Sequence, residues 1–169
     1  MTEVFFYHLE RQPLETVLPQ LLEKTLARGW RAVVQIGLAE RLEAISTLLW
    51  SYRDDSFLPH GSAADGHAAR QPIWLTSGDD APNSPHVRFF LDGAEPGQLE
   101  GLERAIIMFD GSLPDTVAQA REWWRKMTAE GHQVSYWRQD EGGRWRNMAE
   151  RSKSQDAEPA RKIDEADKR

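Results

Sequence analysis

The sequence predicts an α/β domain of the Rossmann-like, three-layer type, with a mostly parallel central sheet and helices on both faces. Several short segments are uniformly apolar rather than alternating, which is typical of strands buried on both faces of a parallel sheet. Segments with apolar residues three and four positions apart, the spacing of amphipathic helices, separate some of these strands. The chain has 169 residues, of which 40% are hydrophobic, enough for one domain with a real core.

The first half of the chain alternates strands with helices. Residues 4–7 are aromatic and bounded by polar residues, so we expect a short buried strand. Residues 14–28 carry apolar side chains at helical spacing, between a proline and a glycine that suit the two ends of a helix. Residues 32–36 are compact and β-branched, which predicts a second buried strand. Residues 39–52 place leucines and an isoleucine on one face, which predicts a second helix.

The second half holds further strands and one more helix. This helix is predicted to begin at Ser112, with Asp115 in the reciprocal capping position, and to run to about Glu130, where Gly131 ends it. The remaining apolar segments predict strands, and a Gly-Gly turn lets the last of them pair back as a short edge strand. These segments are residues 72–75, 87–91, 105–109, 134–137 and 144–148.

The chain is expected to form a single domain over residues 1–149, followed by a charged tail over residues 150–169. The tail has six acidic and six basic residues, no aromatic residue and one strong hydrophobe, Ile163. Such a composition cannot form a core of its own, so disorder or a frayed helix is expected.

Composition excludes several classes of protein. The net charge of −6 opposes direct binding to nucleic acid unless a local basic patch overcomes it. The absence of cysteine excludes disulfides and thiolate metal sites and suits a reducing, cytoplasmic setting. The apolar runs are too short to span a membrane, and the N-terminus lacks the pattern of a signal peptide.

The motifs of a nucleotide-binding enzyme are missing. The junction after the first strand, residues 8–13, has no glycine turn, and Glu10 would repel a phosphate. His60 and His67 share a loop with Asp65, so a weak zinc site there competes with the simpler interpretation of solvated loop histidines. We therefore expect no cofactor, no metal and no catalysis, and keep a nucleotide- or metal-dependent enzyme on this fold as an alternative.

The last helix carries the densest basic and aromatic patch of this acidic chain. Arg121 and Arg125 lie one turn apart, with Lys126 nearby, so an anion could dock between them. In the simpler interpretation the arginines are solvated or pair with Glu122 or Glu130. The apolar stripe of this helix, predicted to face the core, consists of Leu113, Val117, Ala120, Trp124 and Met127, and the patch is expected to extend to Trp123, Trp137 and Arg138.

A second apolar cluster occupies the segment 49–61, where a helix runs into a loop. Trp50, Tyr52, Phe57 and Leu58 lie within nine residues of one another. A loop this apolar either completes the core or is offered to a partner, and two large aromatic side chains are a common anchor for a partner's helix or peptide. The sequence leaves both interpretations open.

Taken together, these segments resemble the chi subunit family of bacterial DNA polymerase III over about residues 3–148. Phe6-Tyr7, Gly29-Trp30-Arg31-Ala32-Val33-Val34 and Gln71-Pro72-Ile73 fit the family pattern, as does the loop with Asn83. The most specific block is Leu49-Trp50 followed by Ser56-Phe57-Leu58-Pro59-His60. The resemblance implies a non-catalytic, Rossmann-like replication adaptor. Such an adaptor binds the acidic, phenylalanine-ended tail of single-stranded-DNA-binding protein and, through a psi subunit, the clamp loader, and so associates with DNA indirectly.

The resemblance also implies where the partners bind. The tail pocket would use Arg121 at the family's arginine, Trp124 at an aromatic position and Arg125 at a basic position, with Lys126 alongside. Val117 stands where the family can carry a further lysine. The psi-side surface, which a helicase could share, would comprise Trp50, Phe57, Leu58 and Pro59. The remaining alternative is direct binding of single-stranded DNA through Trp123, Trp124, Trp137 and Arg121.

Overall fold

The computed structural model describes residues 1–148, which form one eight-stranded sheet with helices on both faces. All neighbouring strands are parallel except the last pair, which is antiparallel. The order across the sheet is β3-β4-β2-β5-β6-β1-β7-β8. The strands are β1 (Glu3–Leu9), β2 (Ala32–Ile36), β3 (His60–Gly61), β4 (Ile73–Thr76), β5 (Val87–Leu91), β6 (Arg104–Asp110), β7 (Gln133–Gln139) and β8 (Trp145–Asn147). The expected fold class is thus confirmed.

The helices divide the core into two apolar clusters, one on each face of the sheet. Helices α1 (Leu14–Ala27) and α2 (Leu42–Ser51) cover one face, where Leu18, Leu22, Ile45 and Leu49 pack against Val34, Phe89 and Ile106. Helix α3 (Pro114–Ala129) covers the other face, where Ala120, Trp123 and Met127 pack against Val4, Phe6 and Ile107. Successive residues of β1 point to opposite faces, so Phe6 joins the α3 cluster and Tyr7 joins the α1–α2 cluster.

Two local predictions differ from the structure. Ser112 does not cap α3: the capping position is Leu113, without a side-chain hydrogen bond, and Pro114 is the first helical residue. The amide and hydroxyl of Ser112 instead donate to Oδ1 of Asp110, at 2.9 and 2.6 Å. The second predicted helix begins as a 3-10 turn over Ala39–Arg41 before α2 starts. The two-residue strand β3 was not predicted, since it is too short to have a pattern.

The crossovers leave a crevice at the carboxyl edge of the sheet. The chain leaves β1 through α1 toward β2 on one face, and leaves β6 through α3 toward β7 on the other. Because β1 and β6 are neighbours, the loops that follow them diverge to opposite faces. Open α/β sheets bind ligands at such topological switch points.

The predicted boundary at residue 149 and the predicted charged tail, residues 150–169, lie outside the described residues. Among residues 1–148, no helix is both long and apolar enough to cross a membrane.

Candidate partner-binding surfaces

The buried stripe of α3 is shifted by one residue from the prediction. Trp123, not Trp124, enters the core, where it is 8% exposed, together with Ala120 and Met127. Leu113, predicted to be buried, is 50% exposed. Val117, at the edge of the stripe, is half-buried.

Trp124 lies at the border between the core and the surface. Its ring centroid is 5.5 Å from that of Phe6 and 5.9 Å from that of Tyr136, in tilted and edge-on arrangements that aromatic pairs favour. The side chain is half-buried. Trp124 therefore has a fixed orientation and still presents apolar surface to a ligand.

The cations of α3 are exposed and have no counter-ion among residues 1–148. Arg121, Arg125 and Lys126 are all exposed, and none of them forms an ion pair with any residue of the described chain. Of the simpler interpretation, the solvated arginines agree with the structure, whereas pairing with Glu122 or Glu130 is wrong. Oε2 of Glu130 instead lies 3.5 Å from Nε2 of His132. Arg121 and Arg125, four residues apart on one helix, are like charges that repel each other, and an anion would relieve that repulsion.

Strand β7 contributes two further side chains beside this patch. Tyr136 packs on the α3 side of the sheet, and both Arg121 and Arg138 lie close enough to lower the pKa of its phenol, although burial has the larger effect and raises it. Arg138 donates to Glu10 at 2.7 Å. Trp137, expected in the same patch, lies on the opposite face, where its ring stacks on Tyr7 at 6.4 Å.

A hydrogen-bonded group behind Tyr136 was not predicted from the sequence. Nδ1 of His8 lies 2.5 Å from the Tyr136 hydroxyl, and Nε2 lies 3.0 Å from Oε1 of Glu10. Burial lowers the pKa of His8, while the hydrogen bond from Arg138 and the close contact with His8 lower the pKa of Glu10. Gly111 closes over the imidazole, since a Cβ at this position would lie 2.0 Å from Nε2. The parallel register that pairs His8 with Arg138 creates this group, and no local sequence signal could have revealed it.

The segment 49–61 both completes the core and presents a surface. Trp50 is 52% exposed and Phe57 is 71% exposed, with ring centroids 5.7 Å apart. The prediction that Leu58 lies on the partner surface is wrong, because its side chain is 1% exposed and belongs to the α1–α2 cluster. Pro59 is half-buried. One leucine thus anchors the loop, while its neighbour Phe57 projects outward.

Polar contacts hold this exposed pair in place. The Glu23 carboxylate on α1 accepts hydrogen bonds from the hydroxyls of Tyr52 and Ser56, which also lie 2.5 Å from each other. The Trp50 ring lies over His60, with centroids 4.2 Å apart. The loop that leads to Phe57 is therefore fixed at both ends.

The predicted alternative of a zinc site in this loop is not supported. His60 is buried, and its ring nitrogens contact the Leu58 carbonyl at 2.8 Å and the Ser46 hydroxyl at 3.1 Å. His67 is exposed, in the left-handed backbone region at φ 52°. Over the described range, no three histidine or acidic side chains are grouped so that they could hold a metal ion.

Comparison with known proteins gives the family. The model of the family described as DNA polymerase III chi subunit, HolC, matches residues 1–135. The chain belongs to the DNA polymerase III chi subunit family. It is also similar to the probable DNA polymerase III subunit chi of Rickettsia prowazekii (strain Madrid E), with 23% identity over 154 residues that cover 88% of this chain and 93% of the relative. The α3 patch and the Trp50–Phe57 pair are therefore surfaces of a replication accessory subunit.

Proposed function

We propose that this chi-family protein is a non-catalytic, cytoplasmic adaptor that binds the acidic C-terminal tail of single-stranded-DNA-binding protein. The observation that carries the proposal is the pair Arg121 and Arg125 beside Trp124, with Lys126 next along the same helix, on the surface of a chain with net charge −6. Within residues 1–148 none of the three cations forms an ion pair. An acidic ligand is the natural counterpart of such a patch, because the remainder of the molecule repels it and these side chains attract it.

The chemistry of a phenylalanine-ended tail fits this patch. Its α-carboxylate can form a charge-assisted hydrogen bond with Arg121, worth roughly 1.5–3 kcal/mol. Burial of the phenylalanine ring against Trp124 and Val117 adds roughly 2–3 kcal/mol. The acidic residues before it gain a salt-screened attraction to Arg125 and Lys126. After the cost of ordering the tail, binding in about the micromolar range is expected.

The Trp50–Phe57 pair is the surface we propose for the second partner, a psi-type subunit that leads to the clamp loader or a helicase that uses the same surface. Large, fixed and exposed aromatic side chains are typical of the centre of a protein–protein interface. Trp50 lies by β3 at one margin of the sheet, whereas Trp124 lies over β1 and β7 near the other. The two partners would therefore bind without competing.

Direct binding of single-stranded DNA has less support. Stacking of successive bases needs several exposed aromatic rings on one surface. Trp123 is buried and Trp137 lies across the sheet, so Trp124 is the only one of the three predicted tryptophans on the α3 surface. The adaptor proposal accounts for action at DNA without this contact.

The experiment is a titration of a labelled peptide ending in Asp-Asp-Ile-Pro-Phe, at two salt concentrations, against the wild type, Arg121→Ala and Arg70→Ala. We expect salt-sensitive binding that Arg121→Ala weakens about tenfold or more. Arg70 is the matched control because it is exposed and precedes β4, five strand spacings or about 24 Å from β7. If Arg121→Ala and Arg70→Ala weaken binding equally, the effect comes from net charge alone. If Arg121→Ala leaves the affinity unchanged, the proposed tail pocket is wrong.

A further inference from the structure

A cavity of about 800 Å³ opens at the carboxyl edge of the sheet, in the crevice between the loops that follow β1 and β6. Its apolar lining comes from the ends of the central strands and from α3, and includes Phe90, Met108, Phe109 and Trp123. The volume lies within the range of ligand-binding pockets. Neither the proposed tail patch nor the Trp50–Phe57 pair includes this cavity.

Two half-exposed leucines line the cavity. Leu38 is 45% exposed and Leu113 is 50% exposed. Apart from the N-terminal methionine, the other large hydrophobic side chains exposed in residues 1–148 are Trp50 and Phe57. Leu38 follows β2 and Leu113 follows β6, so apolar surface from two loops continues out of the cavity. A ligand that only filled the cavity would leave much of this surface in water, whereas a peptide lying across it would cover both side chains.

The cavity is acidic, in contrast to the α3 patch. Its lining includes two arginines and five acidic residues. Arg41 is already neutralised, since it contacts Glu15 at 3.0 Å and Asp92 at 2.8 Å. Asp110 accepts hydrogen bonds from Ser112 and lies near His8, whose imidazole burial disfavours as a cation by lowering its pKa. Neither Asp110 nor Asp115 forms an ion pair within residues 1–148. Negative charge thus remains next to Leu113, at the side of the cavity formed by the start of α3.

We propose that this cavity docks a segment of a partner protein that carries an apolar side chain next to a lysine or arginine. The apolar side chain would enter between Leu38 and Leu113, and the adjacent cation would face Asp110 and Asp115. A chain with this chemistry cannot bind the α3 patch, which is basic. The protein would therefore hold two peptides of opposite charge at separate places.

The test is a set of amide chemical-shift titrations of the full chain with three blocked tetrapeptides: Leu-Arg-Leu-Lys, Leu-Glu-Leu-Asp and Ser-Arg-Ser-Lys. We expect the first peptide alone to give saturable shifts at Leu38, Gly93 and Leu113, with at least about tenfold weaker binding of the other two. Absence of saturable shifts at these amides, or equal binding of the acidic peptide, would overturn the proposal. Shifts at these amides that depend only on protein concentration would also overturn the proposal, because a second copy of the chain would then occupy the cavity.

The variant Leu113→Ser tests the apolar contact without a foreseeable loss of stability, since serine is preferred at the capping position that Leu113 occupies. It should weaken binding of Leu-Arg-Leu-Lys about tenfold. The comparison variant, Phe57→Ser, removes a more exposed apolar side chain from the separate Trp50–Phe57 pair, and it should leave binding of Leu-Arg-Leu-Lys unchanged. If Phe57→Ser weakens binding as much as Leu113→Ser does, the peptide binds apolar surface without selectivity and the proposal fails. Titration of the phenylalanine-ended acidic peptide in the same samples reports on α3 separately, so the two proposals stand or fall independently.

Discussion

The guanidinium of Arg138 contacts the carboxylate of Glu10 at 2.7 Å, so a carboxylate from the first loop already neutralises a cation beside the proposed tail patch. Tyr136 lies close to the charges of both Arg138 and Arg121. Glu10 therefore has two effects on an incoming acidic ligand: it repels the ligand directly, and it withholds Arg138 from it.

Replacing Glu10 with glutamine should strengthen binding of the acidic peptide by about three- to tenfold, with a steeper dependence on salt, because a free Arg138 joins Arg121. The measurement is the peptide titration described above. Glu15→Gln is the matched control, since Glu15 lies in the same part of the chain but pairs with Arg41. Weaker binding in Glu10→Gln would mean that Glu10 positions the site instead of opposing the ligand.

Neighbouring positions of the segment 49–61 should respond in opposite ways to truncation. Leu58→Ala is expected to lower the free energy of unfolding by about 2–5 kcal/mol, because it leaves a cavity in the α1–α2 cluster. Phe57→Ala should leave the stability within about 0.5 kcal/mol of the wild type, since the ring is exposed. Urea unfolding followed by circular dichroism measures both.

The same pair of variants tests the second surface. Phe57→Ala should abolish copurification with a psi-type partner and spare binding of the acidic peptide. If a folded Phe57→Ala variant still copurified with the partner, the assignment of Phe57 to the proposed interface would be wrong. Comparable destabilisation in both variants would show that Phe57 acts through the core.

The buried imidazole of His8 should make the protein less stable in mild acid. Burial lowers the pKa of His8 in the folded state, so the unfolded chain takes up a proton first as the pH falls below its ordinary value of about 6.5. Stability is then fully present above that pH and declines below it. Glu10 and Asp110, whose pKa values are lowered by hydrogen bonds, add a separate loss only below about pH 4.3.

The measurement is the thermal midpoint between pH 7.5 and pH 5, for the wild type and His8→Asn. Asparagine can keep a hydrogen bond with the Tyr136 hydroxyl but does not titrate, so the variant should lose most of this pH dependence. A wild-type midpoint that is flat over this interval, or an equal slope in both proteins, would contradict the assignment to His8.

The sequence predicts those elements of this fold whose apolar pattern extends over many residues. The strand over residues 87–91 coincides with β5, because five successive buried residues leave a clear signal. The sequence also predicts the helix over residues 114–129 clearly. It does not show which of the two adjacent tryptophans enters the core. Neighbouring helical residues differ by about 100° around the axis, and both rings are equally apolar. Only the packing against Phe6 and Tyr136 decides between Trp123 and Trp124.

Contacts between residues on different strands could not be predicted from the sequence for a different reason. His8 and Tyr136 are 128 positions apart, and they meet because β7 adds to the free edge of β1. Likewise, Phe57 is exposed and Leu58 is buried in a loop that contacts Glu23, which lies 29 positions before Tyr52 and 33 before Ser56. Sequence patterns identified both surfaces as candidates but could not resolve which of their side chains are exposed.

The two proposed partner surfaces lie at opposite margins of one sheet. The sheet therefore fixes the distance between them. Strands β3 and β7 are six spacings apart, about 29 Å, and continuous backbone pairing joins them. If both proposals hold, a protein bound at Trp50 and a tail bound at Trp124 would be held at a set separation, with no hinge between them among the described strands. Their effective concentration toward each other then depends on the length of the tail's own linker and not on any flexibility of this sheet.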